Sequence, residues 1–290
     1  MSGGIIRTMS PDDMLEQTEE LAATFRQYGA LIFRGFFAED ERFRALHTDL
    51  ERFVRILGQG KAANSSPPPA GWSDRVVGLA AGERAQTGLF RDLAGQPPKL
   101  LSSAQVRTHP ALLALVYAIF GDHALLSGLE AGDTFQVFPP GAEGYGQTLP
   151  IHQDYPYLMQ SPAMITAWIN FGETDPDAGG LTLWPGSHKL GLRAQRRTSA
   201  GHLEVVDAED DLCAVEEVDV VAEMGDLVLM DALLWYRSNP NLSQDKTRVV
   251  QHFRYCDLSH PVAIKHQWLS SDAGGGSLTF EQAYPELLTG

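Results

Sequence analysis

The stretch Gln147-Thr-Leu-Pro-Ile-His152-Gln-Asp154-Tyr-Pro-Tyr157 opens the strand-rich half of the chain and places a histidine two residues before an aspartate. Side chains alternate along a strand, so those of residues i and i+2 lie on one face. In an extended backbone, an imidazole nitrogen of His152 and a carboxylate oxygen of Asp154 can therefore reach one divalent cation. An iron site of the two-histidine, one-carboxylate kind needs these two ligands and a second histidine. The triplet predicts two of the three.

The order of the other elements predicts the fold class. Helix signals come first, with a helix that starts at Ser10-Pro11 and ends at Gly29. A short strand at 30–34 and helices over 39–57 and 110–120 follow, and then short apolar strands at 133–138, 164–171, 180–184, 226–230 and 247–255. Helices followed by many strands predict an α+β fold with a jelly-roll (double-stranded β-helix) core flanked by N-terminal helices. We expect one domain over 1–290, with a mobile Pro-rich loop around 60–73.

Composition excludes several classes of function. The 290-residue chain carries a formal charge of −15, so nucleic acids and anionic membranes would be repelled at long range. Its two cysteines, Cys213 and Cys256, are too few for a disulfide framework or a cysteine-rich zinc site. We expect neither a leader segment nor a membrane-spanning run. We expect a cytoplasmic monomer or homodimer whose partner is a small molecule.

A second motif makes the interpretation specific. The apolar stretch Met164–Phe171, which contains Trp168, is followed by Gly179-Gly-Leu-Thr-Leu-Trp-Pro-Gly-Ser-His188-Lys189. Together with His152-X-Asp154, these segments resemble the phytanoyl-CoA dioxygenase family of iron(II)/2-oxoglutarate oxygenases. The resemblance extends to 28–36 and 225–229 and so covers most of the chain. It implies a jelly roll that uses Fe(II), 2-oxoglutarate as co-substrate and O2.

The chain departs from that family pattern at one position. Where the pattern has its second metal-binding histidine, this sequence has Tyr236, which precedes Arg237-Ser238-Asn239-Pro240-Asn241. A phenol must lose its proton to bind a metal well, and it then favours iron(III). Three interpretations stay open. Tyr236 is a phenolate ligand; another group such as His252 or water takes the position while Tyr236 packs or hydrogen-bonds; or activity has been lost, naturally or by an engineered change.

The resemblance also assigns cofactor residues. Arg248 would grip the distal carboxylate of 2-oxoglutarate through paired charge-assisted hydrogen bonds. Ser238 would support the same carboxylate, and Trp168 would pack beside the oxoacid. Gln136, on the predicted strand at 134–138, is a candidate for a hydrogen bond to the cofactor; the alternative is a polar side chain that only faces a wet barrel mouth. His252 shares strand parity with Arg248 and so faces the same side.

Substrate recognition rests on aromatic side chains. Tyr155 and Tyr157 directly follow the predicted ligands, and Trp235 precedes Tyr236, so all three are candidates for the mouth of the pocket. The sequence therefore predicts a 2-oxoglutarate-dependent oxygenase that hydroxylates, or otherwise oxidises a C–H bond of, a small metabolite. The alternative is a catalytically impaired or non-catalytic jelly-roll binding protein.

Overall fold

The computed structural model describes residues 4–59, 96–126, 134–138, 148–172, 176–199, 201–213, 215–243, 246, 248–269 and 278–289. The loop expected around 60–73 lies outside these residues.

The helices lie mainly before the strands. Ser10 caps the first helix through a reciprocal pair of hydrogen bonds with Asp13, and the single helix predicted up to Tyr28 is instead two helices that meet at Gln17. Gly29 ends the second with a φ of 68°, and a Cβ there would lie 2.5 Å from Nδ1 of His188. No helix in the described ranges is long and apolar enough to cross a membrane. The helices are α1 Pro11–Glu16, α2 Thr18–Tyr28, α3 Glu41–Gln59, α4 Leu101–Arg107, α5 Pro110–Phe120, α6 Tyr155–Leu158, α7 Ala208–Leu212, α8 Pro261–Lys265 and α9 Phe280–Ala283.

The strands form a main sheet, a minor sheet and a small third sheet. They are β1 Ile6–Thr8, β2 Ala30–Arg34, β3 Ala124–Leu126, β4 Thr134–Phe138, β5 Met164–Asn170, β6 Leu181–Trp184, β7 Gln195–Arg197, β8 Leu203–Val205, β9 Val218–Val220, β10 Leu227–Asp231, β11 Trp235–Ser238, β12 Arg248–Asp257 and β13 Leu288–Thr289. The main sheet has the order β1-β2-β10-β5-β12-β3, with β4 also paired to β12. The minor sheet is β11-β6-β9, and the third is β13-β7-β8.

The two faces of the main sheet have different neighbours. Odd-numbered side chains of β5 and β12, such as Ile169 and Phe253, pack with the helices in the largest apolar cluster. Even-numbered ones, such as Trp168 and Val250, pack with Leu183 of the minor sheet. We call the space between these two sheets the barrel interior. This arrangement, with helices on one face and a second sheet on the other, is the predicted α+β jelly roll.

Candidate metal centre and oxoacid site

His152 lies where the segment before α6 meets β11. Its backbone N–H donates to the carbonyl of Tyr236 at 3.0 Å, and its carbonyl accepts from the N–H of Tyr236 at 3.2 Å. Nδ1 of its ring lies 2.7 Å from the carbonyl oxygen of Pro150, which can only accept, so Nδ1 carries the proton. Nε2 is left with a lone pair, is buried, and has no hydrogen-bond partner among the residues that the structure describes. Such a fixed tautomer is the form in which histidine binds a metal.

Asp154 reaches the same place by a route that the sequence did not predict. The expected continuous strand is a single bridge at His152, and Asp154 has helical backbone angles at the start of α6. Its Oδ1 nevertheless lies 3.9 Å from Nε2 of His152. The two side chains therefore converge as predicted, although a turn into a helix, and not strand alternation, brings them together.

The Asp154 carboxylate is held by three donors. Its Oδ1 accepts from the hydroxyl of Tyr236 at 2.6 Å. Its Oδ2 accepts from the hydroxyl of Thr166 and lies 3.5 Å from Nη2 of Arg254. Burial raises the pKa of Asp154, but the charge of Arg254, with His152 and the two hydroxyl donors, outweighs it and lowers the pKa to about 2. The group is a carboxylate at neutral pH.

Tyr236 occupies the position of the missing histidine as a hydrogen-bond donor. Its ring centroid lies 4.1 Å from that of His152, so its hydroxyl reaches the same small volume as Nε2 and the carboxylate. Burial, followed by the negative charge of Asp154, raises its pKa well above the usual value. The phenol is therefore neutral in this geometry. Of the three interpretations, this favours the one in which Tyr236 hydrogen-bonds.

His252 does not complete the site. It lies opposite Trp168 in the register of β12 and β5, so it faces the barrel interior. Burial, with the charge of Arg254, lowers its pKa to about 3. In the described part of the chain, however, no three histidine, cysteine or acidic side chains converge closely enough to hold a metal. The suggestion that His252 replaces the third ligand stays a prediction, which this geometry does not by itself support.

Arg248, at the start of β12, is the strongest candidate for an anion site. It is 1% exposed, and its Nη1 donates to the carbonyls of Gly180 at 3.0 Å and Asn239 at 3.3 Å. Its guanidinium lies 3.8 Å from the ring centroid of Phe138, and it makes no ion pair with any described residue. Burial alone lowers its pKa to about 10. A buried cation without a carboxylate partner suits a ligand that brings its own carboxylate.

The loop before β6 is shaped around this arginine. Gly179 has a φ of 82°, and a Cβ there would lie 2.8 Å from Nη1 of Arg248 and 2.6 Å from the carbonyl oxygen of Asn239. Only glycine fits such a close approach without displacing the backbone.

The other predicted cofactor residues face the same interior. Trp168 is buried there, and Gln136, which is half-buried, lies opposite Val250 in the register of β4 and β12. Ser238 shares its face of β11 with Tyr236 and lies opposite Leu181. No distance links these three side chains to a bound group, so their roles remain predictions.

The three aromatic candidates lie in different surroundings. Tyr157 contacts the ring of His152 with centroids 5.5 Å apart, and its hydroxyl donates to the carbonyl of Leu203. Tyr155 is buried in a separate apolar cluster with Met164 and Phe280, where its hydroxyl lies 2.7 Å from that of Tyr284. Trp235 packs with Trp184 on the outer face of the minor sheet, since alternation turns it away from the Tyr236 face. Only Tyr157 adjoins the site, and the expected placement of Trp235 at the pocket mouth is corrected.

Two residues that touch Asp154 were missed from the sequence. Arg254 has the same strand parity as Arg248 and His252, so extending that alternation along β12 would have found it. Thr166 has the parity of Trp168 and lies opposite Arg254. Both could have been read from the sequence pattern once β5 and β12 were known to pair.

The comparisons with known proteins identify the family. The family model described as phytanoyl-CoA dioxygenase (PhyH) matches residues 25–250. The chain belongs to this family. The family hit contains His152, Asp154, Tyr236 and Arg248, so both the conforming positions and the departure lie within it.

Curated relatives match over part of their length. A 1-deoxypentalenic acid 11-beta-hydroxylase from Streptomyces arenae is 30% identical over 142 residues, which is 47% of this chain and 50% of the relative. The dioxygenase af480 from Aspergillus fumigatus is 28% identical over 158 residues, or 52% of this chain and 43% of the relative. The chain spans about half the length of the curated relatives it matches.

Solved structures confirm the jelly-roll fold. The epimerase SnoN, in a crystal structure with Fe3+, alpha-ketoglutarate and nogalamycin RO, aligns with a TM-score of 0.57 at 17% identity, covering 87% of this chain and 89% of SnoN. The carbocyclase SnoK aligns with a TM-score of 0.55 at 17% identity, covering 87% of each chain. The predicted α+β jelly roll is confirmed.

Proposed function

We propose that the protein is a non-haem iron(II)/2-oxoglutarate-dependent dioxygenase that oxidises a C–H bond of a small metabolite, with hydroxylation as the default outcome. The iron would be held by His152 and Asp154, with Tyr236 in the place of the usual second histidine. Bound iron with 2-oxoglutarate and O2 would supply the oxidising chemistry. The residues of the chain would position the ion, the oxoacid and the substrate inside the barrel.

The observation that carries this proposal is the unsatisfied Nε2 of His152. A buried nitrogen lone pair without a donor is costly, and native proteins rarely leave one in place without a reason. It lies 3.9 Å from Oδ1 of Asp154, which is too far for a direct hydrogen bond and too close for an apolar side chain to fit between the two atoms. A divalent cation between the two atoms would satisfy both.

The proposed oxoacid site rests on Arg248. The guanidinium is buried at the opposite end of the interior face of β12 from the residues that surround Asp154. A dicarboxylate could then be gripped by Arg248 at one carboxylate while its oxoacid end approaches the metal. Ser238 and Gln136, which face the same interior, would add hydrogen bonds, and Trp168 would pack beside the chain of the oxoacid.

A small-molecule substrate is supported by the relatives. The Streptomyces relative is named for the hydroxylation of 1-deoxypentalenic acid, a small organic acid. The half-buried Tyr157, whose ring contacts His152, is the best-placed aromatic side chain for packing against a substrate near the metal.

The second candidate function is an oxoacid- or metabolite-binding protein without turnover. The hydrogen bond from Tyr236 to Asp154 favours it, because a neutral phenol takes up one lone pair of the carboxylate that the metal would need. The retained Arg248 site would still bind an anion in such a protein.

The deciding experiment is an anaerobic absorption spectrum with Fe(II) and 2-oxoglutarate. A visible metal-to-ligand charge-transfer band in the unaltered protein is the expected result, since the oxoacid would chelate an iron held by His152 and Asp154. A band that appears only in Tyr236→His would replace the oxygenase proposal with the binding protein. A band in neither would contradict the metal site itself.

The matched control is Arg237→His. It introduces the same side chain one residue away, but Arg237 is exposed and lies on the opposite face of β11. If this variant also gains the charge-transfer band, a histidine added outside the barrel is enough to produce it, and the band in Tyr236→His would not report on the interior site.

A further inference from the structure

Gln153 lies between the two proposed metal ligands, and its side chain is completely buried. Its Nε2 donates to the carbonyl oxygens of Leu233 at 2.8 Å and Gly191 at 2.9 Å. Its Oε1 accepts from the backbone N–H of Arg193 at 3.1 Å. Both ends of the amide are therefore hydrogen-bonded, as a buried glutamine requires. The partners lie on two other segments, so this side chain ties the backbone between the proposed ligands to both of them.

The first of these segments is the connection between β10 and β11. The backbone N–H of Tyr155 donates to the carbonyl of Ala232 at 3.0 Å. The next carbonyl, that of Leu233, is the one that the side chain of Gln153 binds. Asp154 therefore has a bond to this connection from the residue before it and from the residue after it. These bonds hold its backbone in place although it lies outside a continuous strand.

The second segment follows the Pro-Gly-Ser-His-Lys motif of residues 185–189, and Gly191 lies two residues beyond that motif. Within the motif, the hydroxyl of Ser187 accepts from the backbone N–H of Trp235 at 2.9 Å. Trp235 directly precedes Tyr236. The motif therefore connects the strand that carries Tyr236 with the segment that carries the two proposed ligands, and the amide of Gln153 makes the second half of this connection.

We propose that Gln153 is a positioning residue that fixes the spacing of His152 and Asp154 before a metal binds. The inference rests on the proposed function, because it concerns the same metal site. Ligand side chains have to be held within about 0.5 Å of their productive places. Any ordering that is left to the binding step weakens the affinity. Gln153 lowers that cost through the backbone of its two neighbours and is not itself a ligand.

The test measures binding of Mn2+ to the metal-free protein. Mn2+ stands in for iron, because free Mn2+ is quantified by electron paramagnetic resonance. Gln153→Met keeps the length of the side chain and removes its amide hydrogen bonds. We expect the Mn2+ affinity of this variant to fall by about tenfold or more, the usual effect of altering groups that orient metal ligands. The spectrum of bound Mn2+ should also broaden, since the ligands are less well ordered.

The matched control is Gln251→Met. Gln251 is equally buried, and its Nε2 donates to the hydroxyl of Ser103 at 3.1 Å, on the face of β12 that packs with the helices. This substitution should lower the melting temperature and leave the affinity and the spectrum of bound Mn2+ unchanged. If it weakens Mn2+ binding as much as Gln153→Met does, a general loss of stability is the cause, and the inference is overturned.

Gln153→Glu tests the same point if Gln153→Met does not fold. It keeps the size of the side chain and an acceptor oxygen, but a carboxylate cannot donate to the two carbonyls. A negative charge added near the site would by itself tighten Mn2+ binding. Weaker binding would therefore show that the ligands have lost their positions. Unchanged or tighter binding, in this variant or in folded Gln153→Met, contradicts the inference.

Failure of the proposed function would look different. If neither the unaltered protein nor Tyr236→His binds Mn2+, the metal site does not exist and both proposals fall. If the unaltered protein binds Mn2+ and folded Gln153→Met binds it equally tightly with the same spectrum, only the role of Gln153 fails.

Discussion

Arg248 and Arg254 lie on the same buried face of one strand, yet their charges are met in different ways. Arg254 has the carboxylate of Asp154 beside it, whereas Arg248 donates to two carbonyl oxygens and packs on the ring of Phe138, with no ion pair to a described residue. One positive charge therefore has a carboxylate partner among the described residues, and the other has none there. We expect the Arg248 end, and not the Arg254 end, to take its counter-charge from a bound anion.

The largest expected effect is a difference in stability between the two ends. Arg254→Met leaves the buried Asp154 without its counter-charge, so we expect the free energy of unfolding of the ligand-free protein to fall by about 3 kcal/mol. Arg248→Met leaves only carbonyl oxygens short of a donor and should cost about 1 kcal/mol. Urea denaturation at neutral pH measures both. Equal losses would show that the two arginines are not compensated differently.

The second effect concerns the stabilisation that 2-oxoglutarate gives to the folded protein, which should depend on Arg248. At a concentration of 2-oxoglutarate about one hundredfold above its Kd, the unaltered protein should gain about 2–3 kcal/mol in the free energy of unfolding. Arg248→Met should lose this gain, because no guanidinium remains to bind the distal carboxylate. Thermal melts with and without 2-oxoglutarate test it, with the exposed Arg237→Met as the control. A gain that persists in Arg248→Met would place the oxoacid elsewhere.

The third effect is the acid sensitivity of the Asp154 end. The pKa of Asp154 is lowered to about 2 in the folded state from an ordinary 3.8, so its contribution to stability is present above about pH 4 and is lost as the pH falls towards 2. A difference of this size corresponds to about 2 kcal/mol. Between pH 4 and pH 2, the free energy of unfolding of the metal-free protein should fall more steeply than that of Asp154→Asn.

Asp219→Asn provides the control for the loss of stability at low pH. Asp219 is an exposed carboxylate on the outer face of the minor sheet that accepts from Thr182. The substitution should leave the loss of stability at low pH as it is in the unaltered protein. If Asp154→Asn loses stability with falling pH as steeply as the unaltered protein does, the carboxylate of Asp154 is not stabilised by Arg254, Thr166 and Tyr236.

The contrast between the two ends also explains what the sequence could predict. Strand parity placed Arg248 and His252 on one face, because alternation along a strand is a local property of the backbone. The fold class followed from the order of helix and strand signals, and it is confirmed. The break of the first helix at Gln17 and the helical backbone of Asp154 were not foreseen, since tertiary packing sets such boundaries.

Contacts between distant segments account for the remaining errors and omissions. Trp235 was expected at the pocket mouth, but the sequence does not say which face of β11 meets the main sheet until its register with β6 is known. Arg254 was missed for a related reason. Its importance comes from Asp154, a residue of another segment, and only the folded chain brings the two together.

The smallest expected effect comes from removing the hydroxyl of Tyr236, and it tests the role of that group. If it only donates to Asp154, Tyr236→Phe should lower the free energy of unfolding of the metal-free protein by about 1 kcal/mol, the value of one hydrogen bond. Mn2+ binding should then stay the same or tighten, because Oδ1 of Asp154 is released for the ion. A phenolate ligand predicts the reverse, with Mn2+ affinity lost on removal of the oxygen. Comparing both quantities in Tyr236→Phe therefore decides whether the proposed metal would be held at this end of the barrel by two side chains of the chain or by three.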